Sequence, residues 1–224
     1  MIDFLFGYGI KHWDKLMTAA VSHLRLVAMA VALSFAASIP LYLIGRKWPK
    51  AGKVIMTLAN IVYTIPSMAM FALLVPFLGL GVAPALVGLT LYNLFVILKN
   101  TNVGFDSIPP LVIESGRGMG YDPMQLFLKI ELPLAMPSIW AGLKLSSTMT
   151  VGLASIASIV NGGGMGKLLF EGMNRRYISE IICASLVCAA MSVLFNFVFQ
   201  QLENYALDKA QGNINNKVKT GGKA

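Results

Sequence analysis

An all-α integral membrane fold with five transmembrane helices, amino terminus outside and carboxyl terminus inside, is what this sequence predicts from three observations. Of its 224 residues, 56% are hydrophobic and only 12% are charged, against roughly 25% charged in a soluble domain. Five apolar stretches reach or approach the length of about 20 residues that a helix needs to cross about 30 Å of hydrocarbon. The Lys and Arg residues behind the net charge of +8 flank those stretches instead of forming a face, which argues for a lipid bilayer and against nucleic acid as the partner.

Residues 1–19 mix Phe4, Phe6, Tyr8 and Trp13 with Lys11, Asp14 and Lys15. That mixture suits a helix lying at the membrane interface, and equally a plain lead-in to the first span. The first long apolar run begins past residue 20 and is a full span without a convincing cleavage site, so no signal peptide is expected. A transmembrane domain over residues 20–203 follows. Span 1, about 24–44, carries Ala28, Ala32 and Ala36 as a small-residue stripe for close helix approach, and Arg25 at its start can snorkel. The next loop holds Arg46, Lys47, Lys50 and Lys53 and no acid, which places it in the cytoplasm.

Span 2, about 54–78, contains Asn60, Pro66 and Pro76, and its middle is expected to kink or unwind around Thr64, Pro66 and Ser67. Two readings stand: a broken helix lining a path, or a packing kink whose freed carbonyls are satisfied by Thr64 or Ser67. Span 3, about 82–98, ends on Lys99, and a long polar loop over 104–138 follows. Span 4, about 139–160, has Lys144 near its inner end and is rich in Ser, Thr and Ala. Residues 161–177 are expected to form an outer loop. Span 5, about 181–199, leads through a polar stretch from Gln200 into a cytoplasmic tail, 204–224, whose last dozen residues lack the hydrophobicity to order. With this orientation 12 of the 18 basic residues lie inside, as the positive-inside rule requires.

No Asp, Glu or His falls within these spans, which argues against proton coupling, though not against sodium coupling through backbone carbonyls. No catalytic residue or metal site is expected: His12 and His23 form no HExxH pair, Cys183 and Cys188 point to different sides of one helix, and the serines in the spans lack a nearby base. A phosphate-loop lookalike at Asn161–Leu168 fails, with Asn161 where the first Gly belongs and Leu168 where Ser or Thr belongs. The chain therefore binds no cofactor by that route, and energy for active transport must come from another subunit.

The polar loop should fold as two short helices. Pro109 and Pro110 precede the first, and Gly120 stops it in a left-handed conformation. Asp122 then caps the second, with Pro123 at its first position and Gln125 completing a capping box, until Pro133 interrupts it. Locally, Glu114 could simply pair with Arg117.

This loop resembles the cytoplasmic motif of permease subunits of bacterial ABC importers: Glu-Ala-Ala, three residues, Gly, nine residues, Ile-x-Leu-Pro. Here Glu114, Ser115, Gly116, Gly120, Ile130, Leu132 and Pro133 stand at that spacing, with Ser115 and Gly116 replacing the two alanines. The resemblance implies that these seven residues belong to a knob docking into a cytoplasmic ATPase subunit. It also implies two such ATPases binding ATP and Mg, a second permease copy or homologue, an extracytoplasmic substrate-binding protein, and a bacterial inner-membrane location. Within that family the chain is similar to permeases for glycine betaine, carnitine and choline, through Thr64–Ser67 with Pro76–Gly79, Leu91 and Tyr92 with Ile97–Thr101, and Ala157 and Ser158 with Gly162–Gly166. Lys99, Asn161 and Met165 depart from the pattern. Methionine permeases have a similar size and loop, so a methionine or other amino-acid importer is the alternative, and an ATP-independent channel or sodium-coupled carrier is a third reading. Trp13, Trp48 and Trp140 are not read as the aromatic cage that the soluble binding protein carries. Candidates for the substrate path are Thr64, Pro66, Ser67, Asn93 and Ser155, each with core packing as its competing role.

Overall fold

A computed structural model describes residues 8–210. In chain order the helices are α1 (Trp13–Lys47), α2 (Pro49–Thr64), α3 (Ser67–Leu78), α4 (Val82–Asp106), α5 (Pro110–Gly118), α6 (Pro123–Leu126), α7 (Leu132–Ile156), α8 (Met165–Arg175) and α9 (Ile178–Ala210). A wide π-helical turn, Phe127–Glu131, joins α6 to α7, and a 3-10 turn, Ala157–Val160, ends α7. No strand occurs among the described residues. Four stretches are long and apolar enough to cross a membrane (α1, α4, Pro123–Val160 and α9), or five if the bent pair α2–α3 counts as one span.

Central α7 packs on α4, α1 and α9. Its inward residues Ala135, Ile139, Leu143, Val151 and Ala154 meet Leu26, Val27, Ala30 and Val31 of α1 and Ala85, Leu89 and Ile97 of α4. Small residues let these backbones approach. Ser34, fully buried, bonds Ala30 O at 2.6 Å within α1 and Thr90 O of α4 at 2.9 Å.

Several expectations are corrected. The alanines at 28, 32 and 36 face outward, and the inward small stripe is Ala30, Ser34 and Ser38. In a bilayer the lipid face is as apolar as the packed face, so spacing identifies a stripe without identifying its side. Ahead of α1, residues 8–11 are also helical, and a turn at His12 joins them to Trp13, with the Leu16 N–H bonding His12 O at 3.0 Å; no Pro or Gly lies between Trp13 and Ile39 to break α1. Phe4 and Phe6 lie outside the described residues. α4 runs past Lys99 to Asp106, into the first residues of the expected loop. Its polar side chains bond their own helix, Asn100 Nδ2 to Val96 O and Thr101 Oγ1 to Ile97 O, both at 2.8 Å, so polarity did not end it.

Pro133 does not interrupt the second knob helix. The Leu132 N–H bonds Phe127 O, five residues back, and this wider turn accommodates a proline with no N–H to donate. The expected outer loop contains α8, set off by left-handed Asn161 (φ 65°) and Arg176 (φ 56°) and holding Met165 and Leu168 inside. α9 continues to Ala210, eleven residues beyond the expected span, and Lys144 Nζ bonds Gln200 Oε1 (2.8 Å) and Glu203 Oε2 (2.5 Å) on its last turns. Lys217, Lys219 and Lys223 of the tail lie outside the described residues.

Candidate functional site

The loop between α4 and α7 forms a knob built by local chemistry. Pro110 opens α5, and Gly120 (φ 83°) turns the chain after it, with Tyr121 N–H returning to Gly116 O at 3.2 Å. Asp122 Oδ1 then accepts from Met124 N–H (2.9 Å) and Gln125 N–H (2.8 Å), capping α6. The two limbs close on Gly116, where an added Cβ would stand 2.6 Å from Leu126 Cδ1 and 2.7 Å from Ile130 Cδ1. That contact brings Gly116 and Ile130 together inside the knob.

The other motif residues take different places. Glu114, Ser115 and Gly120 are on the knob surface. Ser115 Oγ bonds Leu111 O within α5, while Glu114 has no ion-pair partner among the described residues, so the Glu114–Arg117 pairing is absent. Leu132 and Pro133 are half-buried where the knob joins α7. Four large apolar side chains, Leu111, Met119, Met124 and Leu128, stand out from the knob at 52–74% exposure. Exposed apolar surface rimmed by polar groups marks an interaction face.

Sequence reasoning missed the knob's attachment to α1. Arg46 Nη1, in the last turn of α1, is ion-paired with Glu131 Oε2 of the π turn. Its guanidinium lies 5.1 Å from the Phe127 ring and 5.8 Å from the Phe105 ring, which stack on one another 5.7 Å apart. Glu131 is only 4% exposed. The partners are 85 residues apart, and no local pattern links them.

The five path candidates do not converge on one site. α2 and α3 meet at a bend of 102°, with Ile65 and Pro66 extended between them. Pro66 supplies no N–H and drives Ile65 out of the helical region. The freed Ile65 carbonyl is taken by the Tyr92 hydroxyl, not by Thr64 or Ser67; Thr64 Oγ1 bonds Ile61 O instead. Thr64 and Pro66 are exposed at the break, and Ser67 is half-buried. Asn93 is buried in the α4–α7 seam, its Oδ1 accepting from Ser146 Oγ and Thr150 Oγ1, both at 2.7 Å, while its Nδ2 has no partner. Ser155 lies in another seam, 3.6 Å from Cys188 Sγ of α9. Tyr63 and Phe95, whose rings pack with Tyr92 beside the break, were not singled out from the sequence, and Tyr92 was noted only for its family likeness.

The end away from the knob is held by charge. Lys15 Nζ reaches Glu171 Oε2 at 3.0 Å and Glu180 Oε1 at 2.6 Å. The hydrogen bond from Lys15 holds the Glu171 carboxyl below its ordinary range. Burial, and then a hydrogen bond to Glu180, pushes the Tyr8 phenol up to about 12. His23, wholly buried in α1, bridges to Val151 O (3.1 Å) through Nε2 and accepts the Met165 N–H (3.3 Å) on Nδ1, tying α1, α7 and α8 together.

Residues 39–209 match the family described as binding-protein-dependent transport system inner membrane component. The chain belongs to this family. It is 32% identical over 209 residues to the carnitine transport permease protein OpuCB of Listeria monocytogenes, covering 93% of this chain and 96% of that one. It is also 32% identical over 203 residues to the osmoprotectant import permease protein OsmW of Salmonella typhimurium, covering 88% and 94%. A chain of the inward-facing MetNI methionine ABC transporter shares the fold, with a TM-score of 0.75 at 21% identity over 85% of this chain and 95% of that one. The protein is thus an all-α, multi-pass inner-membrane permease subunit of an ABC transporter, with a transport role and not a catalytic one.

Proposed function

We propose that this permease imports a small osmoprotectant such as glycine betaine, carnitine or choline, and that two cytoplasmic ATPase subunits, binding ATP and Mg, drive it. The observation that carries the substrate class is the likeness along nearly the whole chain to carnitine and osmoprotectant permeases. The methionine reading rests on a likeness of fold alone and stands behind it.

In this reading residues 20–203 form the transmembrane domain, paired with a second copy or a homologue, and the knob faces the cytoplasm. Glu114, Ser115 and Gly120 with the exposed Leu111, Met119 and Met124 meet the ATPase, while Gly116, Ile130, Leu132 and Pro133 give the knob its shape and its join to α7. An extracytoplasmic binding protein delivers the ligand at the Lys15 end, and the break at Thr64, Pro66 and Ser67 lies on the path. Asn93 and Ser155 hold helix seams instead. ATP binding draws two knobs together, and differential contacts in the two states rock the bundles.

Purification in mild detergent together with the neighbouring transport proteins tests the assembly: a stoichiometric ATPase is expected, and ATP-independent flux without one would favour a carrier or channel. Binding of radiolabelled betaine, carnitine, choline and methionine to the partner binding protein tests the substrate. Glu114→Lys and Gly120→Trp should insert normally and abolish ATP-driven uptake; unchanged uptake would remove the docking assignment.

A further inference from the structure

We infer that Arg46 and Glu131 are a positioning pair that transmits movement of the knob to α1, so that the permease's first membrane helix follows the ATPase. The inference rests on the docking reading of the knob given above.

Covalently, the knob is attached only to α4 and α7, the helices it connects. Its tie to α1 is the cluster at the bundle's knob end, where three elements converge: Arg46 and Tyr42 from α1, Phe105 from α4, and Phe127 with Glu131 from the π turn. Tyr42 stacks on Phe105 at 4.6 Å, Phe105 on Phe127 at 5.7 Å, and the Arg46 guanidinium lies against both phenylalanines. A planar guanidinium can pair with a carboxylate and lie on aromatic faces at once, which an ammonium does less well. Next to this cluster, α1, α4 and α7 leave an apolar cavity of about 260 Å³ lined by Phe35, Ser38, Thr101, Leu132 and Met136 among others. This cavity thins the apolar contact between α1 and the base of α7 beside the ion pair. A force on the knob reaches α1 through this pair and through the Tyr42–Phe105–Phe127 ring stack beside it, and the pair is the charged, directional part of that link.

Glu131 occupies the π turn, one residue before α7 begins. Such turns hold a local register shift, so a change in that turn moves Glu131 relative to α7. The carboxylate is buried and has Arg46 as its ion-pair partner, so the two move together or the charge is stranded.

The test uses the whole importer, with ATPase and binding protein, in proteoliposomes, and reads substrate accumulated per ATP hydrolysed. Arg46→Gln and Glu131→Gln should each keep the ATPase bound and hydrolysing while that ratio falls by about tenfold. The double variant, with no stranded charge, should recover thermal stability but not the ratio, and Arg46→Lys should fall between Gln and the parent. A parental ratio in the single variants overturns the inference. So does loss of assembly in the double variant, which would make the pair a folding contact only. Failure of the docking reading is distinguishable, because it appears as normal uptake in Glu114→Lys whatever Glu131 does.

Discussion

Tyr92 shows how much one hydroxyl can hold in a bilayer. It alone among the described side chains satisfies the Ile65 carbonyl that the Pro66 break sets free, in surroundings where water is scarce. Tyr92→Phe leaves the ring contact with Tyr63 but strands that carbonyl, so a loss of about 1–3 kcal/mol is expected. Denaturant unfolding in micelles measures it, and an unchanged midpoint would mean that another donor takes over. Gly116 works by absence, since any side chain there meets Leu126 and Ile130. Gly116→Ala should be absorbed by small shifts of two flexible side-chain ends, whereas Gly116→Leu should pry the knob limbs apart and weaken ATPase co-purification. Equal binding by both variants would show that the fit is unimportant. At the far end, two groups give the stability profile opposite limbs. Glu171 titrates below its ordinary value of 4.5 in the folded chain, so its contribution is present above that value and is lost as pH falls through the folded one. Tyr8 is raised from 10.0 to about 12, so its contribution is present below pH 10 and is lost as pH rises between the two values. Glu171→Gln should flatten the acid limb of a melting-temperature profile and Tyr8→Phe the alkaline limb; profiles parallel to the parent's would refute both assignments.

Among the elements, what was legible was local. Gly120, Asp122 and Pro123 announce the turn and cap of the knob because each acts on backbone groups within three residues of itself. Pro66 likewise announces a break. Its depth, a bend of 102°, was not legible, because it depends on how α3 packs through Phe71 and on Tyr92 holding the carbonyl. Helix ends were misjudged at Lys99 and Gln200 because hydropathy reports where apolar surface stops, and a helix goes on as long as its polar side chains leave the backbone bonds intact. Arg46–Glu131 escaped notice for the opposite reason: Arg46 looked fully explained as one of four loop cations, and Glu131 filled the unspecified position of Ile-x-Leu-Pro. Pro66→Ala returns an N–H and permits Ile65 the helical region. Spin labels at the exposed Ile61 and Leu73 should then move apart as the bend opens. An unchanged separation would assign the bend to packing and not to proline.

For the whole molecule, family and fold were legible because the knob motif and the apolar runs occur together along one chain. Sidedness rests on charge counting, and it can be measured. In a background of Cys183→Ala and Cys188→Ala, Leu111→Cys on the knob and Met173→Cys on α8 are both highly exposed. An impermeant maleimide added to right-side-out vesicles should label the α8 position and spare the knob; the reverse pattern would invert the topology. Length has its own consequence for α1. Lys15 and Arg46 are ion-paired at opposite ends of that helix, about 47 Å apart at a rise of about 1.5 Å per residue. A typical bilayer is about 40–45 Å thick with its headgroups and about 30 Å without them. α1 is thus a strut longer than the membrane it crosses and pinned by protein at both faces, so lipid thickness has little purchase on it. Bilayers a few Å thicker or thinner can be accommodated without drawing either pinned charge into hydrocarbon.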